Sequence, residues 1–269
     1  MPSTLIRTDQ VEWRPFLDIP GFMEKPLWYD AETGARRTIW HIPPAWGETL
    51  IPDEAMLHYH RSVYERSYFL FGDFPHWEFD GFDDMEGYVE VMREGLFMDR
   101  PPMSLHGLKP GLYSQTGAII LYWNTGRGTS IAEEGYADES IDVLASRRDP
   151  GLRATLNPVR LIRHHDMPWQ DDPRRPGWKT KRLADEAQGG DPVTLIFVAP
   201  GDHATGSDVS SDGTFVRPWT YVLSGDMRIG SDVSVQAGDY LDWDAGDGLP
   251  GSITAGPTGC LALCIGHTL

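Results

Sequence analysis

The chain has 269 residues, enough for one large or two ordinary domains with ample length to bury a core. Lys and Arg number 23 against 40 Asp and Glu, a formal charge of -17, which argues against nucleic acid or an anionic membrane as partner. Gly 29, Pro 21 and ten each of Trp, Tyr and Phe suit many short strands joined by turns better than a helical bundle. The start, MPSTLIRTDQVEW, lacks a basic region followed by an apolar run, and no stretch reaches the length of a membrane span, so a soluble cytoplasmic protein is expected. Cys260 and Cys264, in CLALCIG, read as buried small hydrophobes.

In chain order, residues 3–44 read as lead-in strands, ARRTIWHIPP the best of them, with a turn at Asp30–Gly34. A loop bearing Pro and Gly over residues 45–56 leads into LHYHRSVYERSYFLFG. There His58 and His60 stand two apart and share a strand face, and Glu65 returns to the same interior after four residues. DFPHWEFDGFDDMEG follows, acidic and aromatic, readable as a surface hairpin, a flap over the site or a dimer contact. His76 and Trp77 within it are not taken as ligands. YVEVMREGLFMDRPP passes as a short helix by composition, and Pro101 and Pro102 then turn the chain ahead of His106. GAIILYWN closes the first unit, and a short helix is expected near Glu139–Ser146 in the stretch rich in Gly, Ser and charge that follows. Three imidazoles and one carboxylate suit one divalent first-row metal ion per chain, with positions left open for a substrate.

The two histidine-bearing stretches resemble the paired motifs of the cupin superfamily. His58, His60, Glu65 and Gly72 keep the spacing of the first motif from its H-x-H onward, with Asp53 nearest the place of its leading glycine. Gly95, Pro101 and His106 fit the second motif, with Met103 where a glycine is usual. The resemblance implies an all-β fold of small antiparallel jelly-roll barrels with the metal inside, held by His58, His60, Glu65 and His106, and it makes Leu96–Arg100 a strand.

The sequence also repeats itself. Leu5-Ile6-Arg7 returns as Leu161-Ile162-Arg163, Trp13 as Trp169, Lys25 as Lys181 and Pro44 as Pro200, always 156 residues on, as 5 and 161 are. The offset becomes 153 at Tyr68 and Tyr221 and 143 at Gly95 and Gly238, so the first copy carries ten more residues between Gly72 and Gly95. The metal positions fall on Ser211, Gly213, Pro218 and Leu249, none a strong ligand. The expectation is two tandem cupin barrels with few short helices: a metal-binding barrel at 1–130, a linker at 131–158, and at 159–269 a barrel without metal ligands. His41, His164, His165 and His203 have no partner at ligand spacing and are left out of the site.

Alternation from Glu65 turns Ser67, Phe69 and Phe71 inward and Arg66, Tyr68 and Leu70 away, and Met56 shares the face of His58 and His60. Trp40, Phe97 and Tyr113 complete the candidate pocket, which is greasy and aromatic and suits an apolar or aromatic substrate carrying one or two oxygens. The resemblance implies a dioxygenase of the quercetinase-like kind, using Fe(II) with Mn, Ni or Zn as alternatives, on an enolate, phenolate or diol, Glu65 doubling as general base. Two other readings stay open: a lyase or isomerase using the metal as a Lewis acid, and a cupin that senses a small molecule and acts through a protein partner. A homodimer is the default oligomer.

Overall fold

The structure, a computed structural model, describes residues 4–16, 19–46, 59–60, 63–80, 84, 86–109, 111–126, 157–173, 175–185, 191–205, 218–243 and 252–266. His58, Met56 and the helix expected near Glu139–Ser146 lie outside the described residues, as does most of the expected linker. Among the described residues there are eighteen strands and two three-residue 3-10 turns, at Thr8–Gln10 and His164–Asp166. No helix among them is long and apolar enough to cross a membrane.

The strands are β1 (Thr4–Arg7), β2 (Arg14–Pro15), β3 (Met23–Tyr29), β4 (Arg36–Ile42), β5 (Glu65–Glu78), β6 (Tyr88–Arg93), β7 (Leu96–Arg100), β8 (His106–Gly107) and β9 (Ala118–Asn124) in the first half. In the second half they are β10 (Arg160–Arg163), β11 (Gln170–Asp171), β12 (Trp178–Ala184), β13 (Val193–Val198), β14 (His203–Thr205), β15 (Trp219–Ile229), β16 (Val233–Gln236), β17 (Asp239–Asp242) and β18 (Ser252–Ile265). The stretch that passes for a helix by composition is two strands, β6 and β7, broken by a turn at Glu94–Gly95; both pair with β5, and β7 pairs with β10 as well. The turn at Asp30–Gly34 is closed by the Asp30 carboxylate, which accepts from the Glu32 amide at 2.9 Å and the Thr33 hydroxyl at 2.8 Å.

The chain divides into two compact units, residues 13–163 and residues 1–12 with 164–269. In the first, the antiparallel order is β10-β7-β5-β9-β4-β3-β2, with β6 and β8 on the far half of β5. In the second, it is β1-β17-β15-β18-β13-β12-β11, with β16 on β15 and β14 on β18. The orders correspond strand for strand along the main path, as two jelly-roll barrels require. The division differs from limits at 130 and 159 in one respect: each lead-in strand lies in the unit built by the other half of the chain. Leu5 pairs with Leu241 and Leu161 with Met98, so equivalent strands find equivalent partners in exchanged sheets.

The core of the first unit is Phe16, Phe22, Ile42, Phe69, Phe74, Met92, Leu96, Met98, Leu108, Ala118 and Ile120. Its spine is β5, whose register against β9 shifts between Phe69 and Phe71. This bulge reverses the side-chain parity. Phe71 is therefore 53% exposed rather than inward, while Phe74 and His76 line the interior beside Ser67 and Phe69.

Candidate metal centre

Glu65 opens β5 opposite Arg100 of β7 and Asn124 of β9. His106 sits in β8 opposite Glu78 at the far end of β5. His60 enters from the segment before β5, its carbonyl accepting from the Met103 amide at 2.7 Å. Met103 holds a φ of 68°, the left-handed conformation for which the motif usually supplies glycine. The chain thus makes the turn ahead of His106 without the usual residue.

The three side chains are buried and converge. Glu65 Oε1 lies 3.4 Å from His60 Nε2, and Oε2 lies 3.1 Å from His106 Nε2. One ligand atom from each residue falls within 4.8 Å of the other two, and the 3.4 Å and 3.1 Å separations of Glu65 from the two imidazoles are within the reach of a single ion bonded at about 2.1 Å. Tyr122 donates to Glu65 Oε1 at 2.6 Å and itself accepts from Asn124 at 3.2 Å. His106 Nδ1 lies 2.9 Å from the Ser104 carbonyl, which only accepts, so Nδ1 carries the proton and Nε2 presents its lone pair. Burial, reinforced by Arg100, pushes the His106 pKa down to about 4. Burial would raise Glu65, but the neighbouring imidazoles of His60 and His106 hold its carboxyl well below the usual range. Glu65 Oε2 accepts no hydrogen bond although it is buried. In this tautomer Glu65 Oε2 and His106 Nε2 face each other as two acceptors 3.1 Å apart, and the donor set of two imidazoles and a carboxylate fits a divalent metal ion.

A second buried cluster stands beside the first. Glu78 Oε1 accepts from Arg100 Nη2 and lies 2.9 Å from His76 Nδ1. Burial works against the Glu78 charge, yet Arg100 and His76 bring its pKa down to about 2. Arg100 Nη1 reaches to 3.8 Å of Glu65 Oε2, linking the two clusters.

Both clusters border a cavity of about 140 Å3. Its walls are mostly apolar, from Phe16, Phe22, Trp40, Phe69, Phe74 and Ile120, and its polar edge is Glu65, Ser67, His76, Arg100, His106 and Tyr122. Trp40 stacks on Tyr122 with centroids 3.8 Å apart and planes inclined by 18°.

Of the residues singled out from sequence, the structure brings His60, Glu65 and His106 together and puts Trp40, Ser67 and Phe69 on the cavity wall. Two are corrected. Phe97 pairs with outward-facing Tyr68 and stacks on Trp123 at 6.0 Å, on the sheet face away from the cavity. Tyr113 lies beside Phe71 and Asp73 in an outer groove. His76, Glu78, Arg100 and Tyr122 were not among the residues singled out. Their place depends on the bulge in β5 and on the pairing of β5 with β7 and β9, which periodicity within one strand does not reveal.

No protein-family model and no curated protein sequence matches the chain. Solved structures do. A putative dioxygenase from Nostoc punctiforme superposes with a TM-score of 0.61 at 14% identity, covering 97% of this chain and 81% of that one. A putative glyoxylate-induced protein from Pseudomonas aeruginosa gives 0.61 at 14%, over 97% and 86%. Oxalate decarboxylase from Bacillus subtilis, described with Mn(II) centres, gives 0.59 at 14%, over 98% and 77%. These likenesses concern the fold: the chain is an all-β protein of two tandem cupin barrels.

Proposed function

We propose that the chain is a metal-dependent enzyme of the cupin superfamily, a non-heme dioxygenase acting on a small aromatic, enol or diketone-type substrate in the cavity of residues 13–163. One observation carries the reading: His60, Glu65 and His106 meet at the edge of a mostly apolar cavity, with a buried carboxylate oxygen that accepts no hydrogen bond. His58 joins the set on the spacing of H-x-H, and the ion is one Fe(II) per chain, with Mn, Ni or Zn as the other candidates. The Mn(II) centres of the Bacillus subtilis oxalate decarboxylase support keeping Mn among them. When bound, the ion supplies a Lewis acid and, as iron, a source of electrons for dioxygen. If Glu65 leaves the ion, it is the candidate general base for a substrate hydroxyl, with Tyr122 hydrogen-bonded to its Oε1. The aromatic wall excludes water from the reacting groups.

A lyase or decarboxylase using the same ion only as a Lewis acid is the second reading. Arg100 favours it, as a buried cation facing the cavity that suits a carboxylate or enolate without redox change. The deciding experiment is elemental analysis of protein purified without added metal, then oxygen uptake with iron restored and a panel of phenols and diketones. About one iron per chain with substrate-dependent uptake is expected, and His60→Ala or His106→Ala should lose the metal. Metal present without uptake on any substrate favours the lyase or a binding role. Full metal occupancy in both variants overturns the site.

A further inference from the structure

The duplicated chain contains its own control for the polar lining of the cavity. Ser67 pairs with Tyr122 in the first unit, and Thr220 pairs with Cys264 at the same place in the second. Glu65 pairs with Arg100, and the Trp243 amide donates to the carbonyl of Pro218 at 2.9 Å in the equivalent position. His76 pairs with Glu90 where Ile229 pairs with Val233. Where the first unit has His76, Arg100 and Tyr122, the second therefore has Ile229, Trp243 and Cys264, all in its hydrophobic core. The same barrel closes with apolar residues at these positions. Buried charge there is not required by the fold, and it is costly to keep, so its explanation lies in what the cavity holds.

Charge and size narrow that occupant. Glu65 and Glu78 are carboxylates and Arg100 a guanidinium, which together leave one negative charge in the two clusters at the cavity. A divalent ion makes the sum one positive, and one anionic group on a ligand brings it to zero, the state that a dry site favours. Arg100 Nε and Trp40 Nε1 are buried donors without a hydrogen-bond partner, and both residues border the cavity. The volume of about 140 Å3 is close to the ~150 Å3 of an apolar cavity that binds benzene.

Resting on the metal reading above, we infer that the ligand is a small monoanion: one enolate, phenolate or carboxylate head directed at Arg100 and Trp40, and an apolar body of about the size of a single six-membered ring. Glu78 is then a positioning residue that holds Arg100 and His76 toward the head.

The test uses full-length protein loaded with zinc, which does no redox chemistry, and calorimetric titration with benzoate and butyrate against their neutral amides. At least one anion should bind about tenfold or more tightly than its amide, and removal of zinc should weaken the anion by a similar factor. The paired variant Glu78→Gln/Arg100→Gln keeps the summed charge but loses the head contact, so anion affinity should fall about tenfold with the amide unchanged. Trp40→Phe keeps the stack on Tyr122, loses one donor and should weaken the anion severalfold; it serves if the paired variant does not fold. Zinc bound with each amide matching its anion overturns this inference alone. Failure of zinc to bind overturns the metal reading and this inference with it.

Discussion

Glu78 has no exposed surface and should by burial alone take up a proton, yet Arg100 and His76 keep it ionised with a pKa of about 2. A carboxyl whose pKa is lower in the folded state than its ordinary 4.5 adds stability that is complete above pH 4.5 and fades as pH falls toward 2. His106 acts in the same sense one interval higher. The unfolded chain takes up its proton near pH 6.5 and the folded chain only near 4, so stability declines across that interval also. Metal-free protein should therefore lose melting temperature steadily as pH is lowered from about 6.5, as thermal melts between pH 7 and 3 would record. Glu78→Gln should be less stable at pH 7 by about 3–5 kcal/mol, because Arg100 loses a buried partner, and should show a shallower decline below pH 4.5. A wild-type melting temperature that is level from pH 6.5 to 4.5 would contradict the environment described for His106.

At the scale of the element, β5 sets both clusters, and its course depends on one close approach. Gly72 has a φ of 81°, and a Cβ there would lie 1.9 Å from the Gly117 carbonyl oxygen; Gly225, its equivalent in β15, has a φ of 76° and would meet Gly259 at 2.0 Å. The obstacle is backbone in both cases, so alanine forces the strands apart. Each substitution should cost about 3 kcal/mol or more in urea unfolding. They should differ in function. Gly72→Ala disturbs the bulge that turns Phe74, His76 and Glu78 inward and should lower metal content, while Gly225→Ala should leave metal content near that of the native protein. Equal loss in both would contradict the local role given to the bulge in β5. The same bulge explains what could be read in advance. Alternation along ERSYF is regular, so the inward face of Glu65, Ser67 and Phe69 is visible in the residues. Beyond Leu70 the parity reverses, and with phenylalanine at both Phe71 and Phe74 the apolar pattern carries no mark of the reversal. Arg100 and Tyr122 depend on which residue stands opposite which, and that is decided between strands.

For the whole molecule, the duplication was legible because a constant offset of 156 survives in residues that strands need, whereas the exchange of lead-in strands was not, because two equivalent segments fit either sheet by pattern alone. The register shows the consequence. Leu161 and Ile162 of β10 cover Met98 and Phe97 of β7, and Arg160 joins Arg66 on the wholly buried Asp99. A fragment ending at residue 130 leaves the backbone of β7 unpaired on that edge and deprives Asp99 of one cation, while it retains a β1 whose partner β17 is gone. A fragment of residues 13–163 keeps every strand pair of its unit. It should unfold in urea in one cooperative transition followed by circular dichroism, retain the metal of the full chain, and stay monomeric enough to concentrate. The fragment 1–130 should aggregate or unfold without a cooperative transition, since an open edge on a hydrophobic sheet pairs with other chains. Equal stability of the two fragments would mean that β10 adds nothing to the barrel it completes. The exchange would then be a feature of connection, and the interior of residues 13–163 would owe its order to β5 and its other neighbours alone.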